Sequence, residues 1–171
     1  MKWQAKLVML LLVGVVLKVG ATYPVEQQKA PSESWVDPAT GLMWAGKDNG
    51  RSVNWREATK YCRELRLGGY TDWRLGTIEE LEGIYDSTAR APGLAGKDGK
   101  EAATWHVKGN LFLTGQQWSS TRVIDPYTRR PGGQVWYFDF WNKVKSREDG
   151  TWSGRGAGYF KRALCVRSDG K

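Results

Sequence analysis

Two cysteines, Cys62 and Cys165, stand 103 positions apart, and no other cysteine occurs in the chain. What they can do depends on the compartment, and the N-terminus speaks to that. Lys2 and Lys6 precede an apolar run from Leu7 to Leu17 that carries no charge, and Val19-Gly20-Ala21 supplies small residues where a signal peptidase cuts. This three-part pattern is that of a secretory signal peptide. The run is shorter than the roughly 20 residues a membrane-spanning helix needs. The expectation is a signal peptide at residues 1–21, a flexible lead segment at 22–34 and one domain at 35–168, with no transmembrane segment in the mature chain. The protein would be exported, to the periplasm or beyond the cell. There, two cysteines read most simply as one disulfide tying the first third of the chain to its end. Two buried free thiols are the alternative. In the chain-entropy picture, closing a loop that long stabilises the fold by about 4–5 kcal/mol.

Charge is unevenly placed. The formal net charge is +8, yet residues 22–101 balance to −2 whereas residues 102–171 balance to +7. A basic half points to an anionic partner, such as an acidic or sulfated glycan or a phosphate-bearing surface. Nucleic acid is not expected: export argues against it, and no groove-reading or strand-stacking motif is evident. Ten tryptophans and 21 glycines predict many turns, short strands and an aromatic core.

Along the chain, Ser34–Asp37 and Leu42–Ala45 flank Pro38-Ala39-Thr40-Gly41, which is turn chemistry and predicts a first β-hairpin. Asn54 followed by Glu57 forms a capping box, and Trp55, Ala58, Cys62 and Leu65 recur at helical spacing, so a helix is expected over residues 54–65, stopped by Gly68-Gly69. Thr77 and Glu80 form a second capping box, opening a helix whose apolar face holds Leu81, Ile84 and Tyr85. Residues 87–115 read as a long irregular loop with a short strand near Asn110–Thr114. Strands are expected at Gln117–Arg122, at the aromatic run Val135–Trp141 and at Phe160–Val166, separated by two basic, glycine-rich loops at Val123–Gln134 and Asn142–Tyr159. The order is that of an α+β domain.

The motifs Asp37-x-x-x-Gly41-Leu42-Met43-Trp44, Val53-Asn54-Trp55-x-x-Ala58-x-x-Tyr61-Cys62, Leu67-Gly68-Gly69-Tyr70-x-Asp72-Trp73-Arg74-Leu75-x-Thr77-x-x-Glu80-Leu81, Trp118-Ser119-Ser120-Thr121 and Cys165-Val166-Arg167 follow one another in order. Together they resemble the bacterial domain family named for the C-terminal domain of the Legionella collagen-like protein, over about residues 35–168. The resemblance implies a C-type lectin-like fold, with two helices flanking a small twisted antiparallel sheet and long loops at one end. It also implies that Cys62 on the first helix bonds Cys165 on the last strand. Gly76 departs from the family, which usually has proline there, and this loosens the turn before the second helix.

The chemistry argues for binding rather than catalysis. His106 is the only histidine, and one imidazole makes no nucleophile–base–acid set. Ser119-Ser120 lies in no nucleophile turn, and no cysteine–histidine cluster could hold a tetrahedral metal. Asp48-Asn49-Gly50 is oxygen-rich but more in keeping with a turn than with calcium, and Lys143 stands where calcium-dependent lectins place an acid. The expectation is a non-enzymatic module without metal or cofactor. In the fold the resemblance implies, ligand contacts come from the last loops, which here hold Tyr127, Arg129, Arg130, Trp141, Lys143, Lys145, Arg147, Trp152, Arg155 and Tyr159. Arginine forks suit sulfate, phosphate or carboxylate, and tryptophan and tyrosine stack on a sugar face. The expected function is adhesion or recognition of an anionic glycan or a surface protein. The alternatives are a structural envelope protein acting through protein contacts and, behind it, a hydrolase or modifying enzyme.

Overall fold

The computed structural model describes residues 32–96, 99–151 and 161–168. Asp37 shapes the first turn: its carboxylate accepts from the Ala39 N–H and the Thr40 hydroxyl, and Gly41 takes a φ of +72° that a side chain would resist. The turn pairs β1 (Ser34–Val36) with β2 (Leu42–Ala45), setting Trp35 opposite Trp44. Helix α1 (Trp55–Glu64) begins at the expected capping box, with Asn54 Oδ1 accepting from the Glu57 N–H and the Glu57 carboxylate accepting from the Asn54 N–H. Its Ala58 and Cys62 are buried. After β3 (Arg74–Leu75), the same reciprocal capping by Thr77 and Glu80 opens α2 (Ile78–Gly83), which buries Ile78 and Leu81.

The remainder is β-structure. Strands β4 (Ala91–Ala95) and β5 (Glu101–Trp105) form a two-stranded sheet, followed by a 3-10 turn at Lys108–Asn110. Then come β6 (Gln116–Ile124), β7 (Pro131–Asp139), β8 (Val144–Asp149), β9 (Lys161–Arg162) and β10 (Cys165–Ser168). One sheet has the order β1-β2-β10-β3 and brings the two ends of the domain together; another has the order β8-β7-β6-β9, in which β9 runs parallel to β6.

This corrects the expected fold class. The described residues are mostly β, with ten strands in three sheets and two short helices, and not an α+β domain with two helices flanking one small antiparallel sheet. The difference lies in segments read as loops. Residues 87–115 contain the β4–β5 hairpin, whose Ala-Pro-Gly-Leu-Ala and Glu-Ala-Ala-Thr-Trp sequences lack the β-branched alternation that marks a strand; pairing and a bridge from Gly93 to Leu113 hold them extended. The described parts of the two basic loops include the ends of β6 and β7 and the edge strand β8, whose Val-Lys-Ser-Arg-Glu-Asp sequence is charged because it borders solvent.

The sheet of β6, β7 and β8 lies between two apolar clusters. On one side Phe138 and Phe140 pack with Trp44, Leu81, Ile84 and Val166; on the other, Val135 and Trp118 pack with Val53, Ala58, Trp73 and the disulfide. Cys62 and Cys165 are bonded, with Cα atoms 5.3 Å apart and both side chains buried.

Polar groups within this interior are joined in chains. Asp48 accepts four hydrogen bonds, from the Gly50 and Thr114 N–H groups, the Thr114 hydroxyl and the Gln117 amide. Burial nevertheless pushes its carboxyl pKa up, against those bonds. Arg162 donates to Thr114 Oγ1 at 2.8 Å and to Ser52 Oγ at 2.8 Å. Lys161 pairs with Glu148 at 2.8 Å and lies 4.1 Å from the centre of the Tyr137 ring.

Candidate functional site

The motif residues turn out to be the fasteners of the fold. Trp118 Nε1 donates to the Val53 carbonyl and Trp55 Nε1 to the Ser119 carbonyl, locking α1 and its lead-in onto β6. The Ser119 hydroxyl is buried and donates to the Trp136 carbonyl across the sheet. Thr121 Oγ1 accepts from the Ile78 N–H at the start of α2. Arg74 grips Glu80 with two bonds, and Arg167 grips Asp72 likewise. Gly76 lets the Trp44 ring lie against the backbone, since a Cβ there would approach that ring to 3.1 Å. Any ligand site is therefore to be sought among residues outside these motifs.

The sequence-expected site residues fall in two places. Trp141, Lys143, Lys145 and Arg147 lie on the turn after β7 and along β8; Tyr127, Arg129 and Arg130 lie at the tip of the β6–β7 hairpin. Trp141 and the hairpin tip are at opposite ends of β7, about 27 Å apart at the usual strand rise, and β8 runs back from the Trp141 end so that Arg147 lies opposite Trp136. Trp152, Arg155 and Tyr159 lie outside the described residues.

At the Trp141 end the surface is concave. A groove of about 700 Å³ runs over the β4–β5 sheet, floored by Pro92, Gly93, Ala102, Ala103 and Thr104, with Phe112 and Trp141 as aromatic walls and Arg90 and His106 as its polar end. The floor is flat because its side chains are small. Gly93 is required there: a Cβ would lie 2.2 Å from the Leu113 carbonyl oxygen and 2.5 Å from the Trp105 ring. Trp141 is held by its backbone, whose N–H donates to Asp139 Oδ1, and its ring meets the buried Trp105 edge-on, with centroids 5.8 Å apart. It nonetheless keeps 49% of its surface exposed.

The polar end is equally ordered. Arg90 Nη1 donates to the Ser87 and Ala89 carbonyls and lies 3.0 Å from His106 Nδ1, which is also 3.0 Å from the Ala89 oxygen. His106 packs against Tyr85, and the Lys143 ammonium sits 5.3 Å from the centre of that same ring. Cations and aromatic rings continue along β8, where Lys145 and Arg147 both lie over Trp136, at 5.7 and 5.9 Å. Lys145 also pairs with Glu82 at 3.0 Å.

This arrangement offers a planar apolar wall, a shallow floor and fixed positive charge, which together can stack one face of a ring and pair an anionic substituent. The sequence expectation named Trp141, which lines this groove, and Lys143, but it did not name Arg90 or Trp136 and gave His106 no binding role. Arg90 and His106 sit in the segment read as a loop; the β4–β5 pairing and the bond from the His106 N–H to the Phe140 carbonyl bring them beside Trp141. No group of three or more histidine, cysteine or carboxylate side chains able to hold a metal occurs among the described residues. No helix among them is long and apolar enough to cross a membrane.

No curated protein matches the sequence. The family described as the Lcl C-terminal domain matches residues 33–164, which takes in most of both clusters of the core, the groove and the β6–β7 hairpin. The chain therefore belongs to the Lcl C-terminal domain family.

Proposed function

We propose that the protein is an exported binding or adhesion module that takes an anionic glycan in the groove beside Trp141. The observation that carries this reading is the half-exposed Trp141 ring standing over a small-residue floor, with Arg90 and His106 at one end and Lys143 nearby. A sugar ring laid on that floor would stack on the indole, and its carboxylate or sulfate would meet the guanidinium. The disulfide fits an oxidising compartment. Lys145 and Arg147 extend the positive surface from the groove along β8 and would add long-range attraction rather than specificity.

The test is retention on heparin and on uncharged agarose in low salt, with Trp141→Ala and Arg90→Ala beside the unaltered protein. Loss of one stacking contact is worth roughly 0.5–1.5 kcal/mol, so Trp141→Ala should weaken binding severalfold. Retention should also fall with added salt as the Debye length shrinks. If the unaltered protein binds no anionic matrix, or the two variants bind as well as it does, the reading fails.

A further inference from the structure

The tip of the β6–β7 hairpin is built differently from the groove and stands apart from it. Every residue from Pro126 to Pro131 is exposed, and Tyr127 is 92% exposed. Its shape is nonetheless fixed. Asp125 Oδ1 accepts from the Tyr127 and Thr128 N–H groups, the Arg129 N–H donates to the Asp125 carbonyl, and the Asp125 N–H donates to the Arg130 carbonyl. Arg129 holds a φ of +57° within this turn. One step below, Ile124 is 54% exposed and lies opposite Pro131. A rigid, convex end thus carries a bare tyrosine, an apolar pair and two arginines, while its one carboxylate is occupied by the turn.

We propose that this tip is an interfacial anchor, which docks on a bilayer of anionic phospholipid by setting Tyr127 and Ile124 at headgroup depth and Arg129 and Arg130 on lipid phosphates. Tyrosine rings favour that depth because one end is apolar and the other wet. Guanidinium groups pair with phosphate through two parallel hydrogen bonds. The charge is complementary: two exposed arginines flank the apolar end and outnumber the single carboxylate of the turn, Asp125, which is directed onto the turn's own N–H groups. A convex tip also needs no matching pocket in a soft surface. Because the turn is prefolded, docking orders few additional groups. The inference does not rest on the glycan reading, since the tip and the groove lie at opposite ends of β7.

The experiment is co-sedimentation of the protein with vesicles of phosphatidylcholine alone and of phosphatidylcholine and phosphatidylglycerol in equal parts. Binding is expected to the mixed vesicles only. Arg129→Asn and Arg130→Gln, chosen because asparagine tolerates a positive φ, should each weaken partition by about fivefold, the usual share of one cation near an anionic surface. Tyr127→Ser should also weaken it, and Trp141→Ala should leave it unchanged. Absence of binding, equal binding to both vesicles, or equal loss with Trp141→Ala would overturn the proposal. Loss with the arginine variants but not with Tyr127→Ser would replace it with simple charge attraction.

Discussion

The Arg167 guanidinium holds the Asp72 carboxylate with two hydrogen bonds, of 2.7 and 3.1 Å, while lying 3.7 Å from the centre of the Tyr70 ring. Two pieces of the motif pattern thus meet at one point, where the final strand meets the segment leading into β3. The Arg167 hydrogen bonds pull the Asp72 pKa below its usual value. A carboxylate with a depressed folded-state pKa contributes stability above its unfolded pKa, about 3.9, and loses it as pH falls through the folded value. Asp72→Asn should therefore flatten the acid limb of a thermal-stability profile below about pH 4, with the two profiles separated above that point and converging below it. An unaltered acid limb in the variant would show that the pair contributes nothing there.

The disulfide should dominate the stability of the fold. Its loop spans 103 positions, and a loop of roughly 100 residues corresponds to about 4.7 kcal/mol in the chain-entropy picture. The double variant Cys62→Ser with Cys165→Ser should lose roughly that much in urea unfolding. Reductant should have little effect on the folded protein, since both sulfurs are buried, and a large one once urea opens it.

Thr114 is the middle link of a directional chain. Its oxygen accepts from Arg162 Nε, so its own proton must go to Asp48 Oδ1, at 2.8 Å. Thr114→Val keeps the shape and removes both bonds inside the protein, so a loss of about 1–3 kcal/mol is expected. Thr114→Ser should recover most of it. The Asp48 carboxyl, raised by burial, adds a pH signature of the opposite sign to that of Asp72. Its contribution is largest at low pH and declines as pH rises through its folded pKa. Urea titrations of the unaltered protein and Asp48→Asn between acid and neutral pH will separate the two.

How far the sequence could be read depended on whether a signal was local. Both capping boxes are local patterns and appear where the residues place them, at Asn54 with Glu57 and at Thr77 with Glu80. The pairing of Cys62 with Cys165 was equally accessible, because two cysteines allow a single intramolecular bridge. The β4–β5 hairpin was not: its small residues carry no periodicity, and its extended form comes from partners such as Leu113 that lie distant in the chain. The groove was missed for the same reason, since Arg90 and Trp141 become neighbours through that hairpin and through the bond from the His106 N–H to the Phe140 carbonyl, neither of which is a local signal. The basic residues were visible as a composition, but whether they formed one site depended on the length of β7, which separates Arg129 and Arg130 from Trp141 and Lys143.

Gly93 gives the most direct test of the groove's construction. A methyl group at this position would meet the Leu113 carbonyl oxygen at 2.2 Å and the Trp105 ring at 2.5 Å. The first contact is with backbone that β4 itself bonds to through the Leu94 N–H, so neither partner can move without breaking that bond. The second would push Trp105, whose ring supports Trp141 edge-on. Gly93→Ala should therefore destabilise the fold by roughly 1–3 kcal/mol or more, as overpacked sites do. It should also weaken heparin retention in parallel with Trp141→Ala. Gly83→Ala is the matched control: nothing lies within 4 Å of the added carbon at the end of α2, and a stabilisation of about 0.4–1 kcal/mol is expected there. Equal melting temperatures for the two variants would mean that β4 does not approach Leu113 and Trp105 as closely as described, and the groove floor would have to be redrawn.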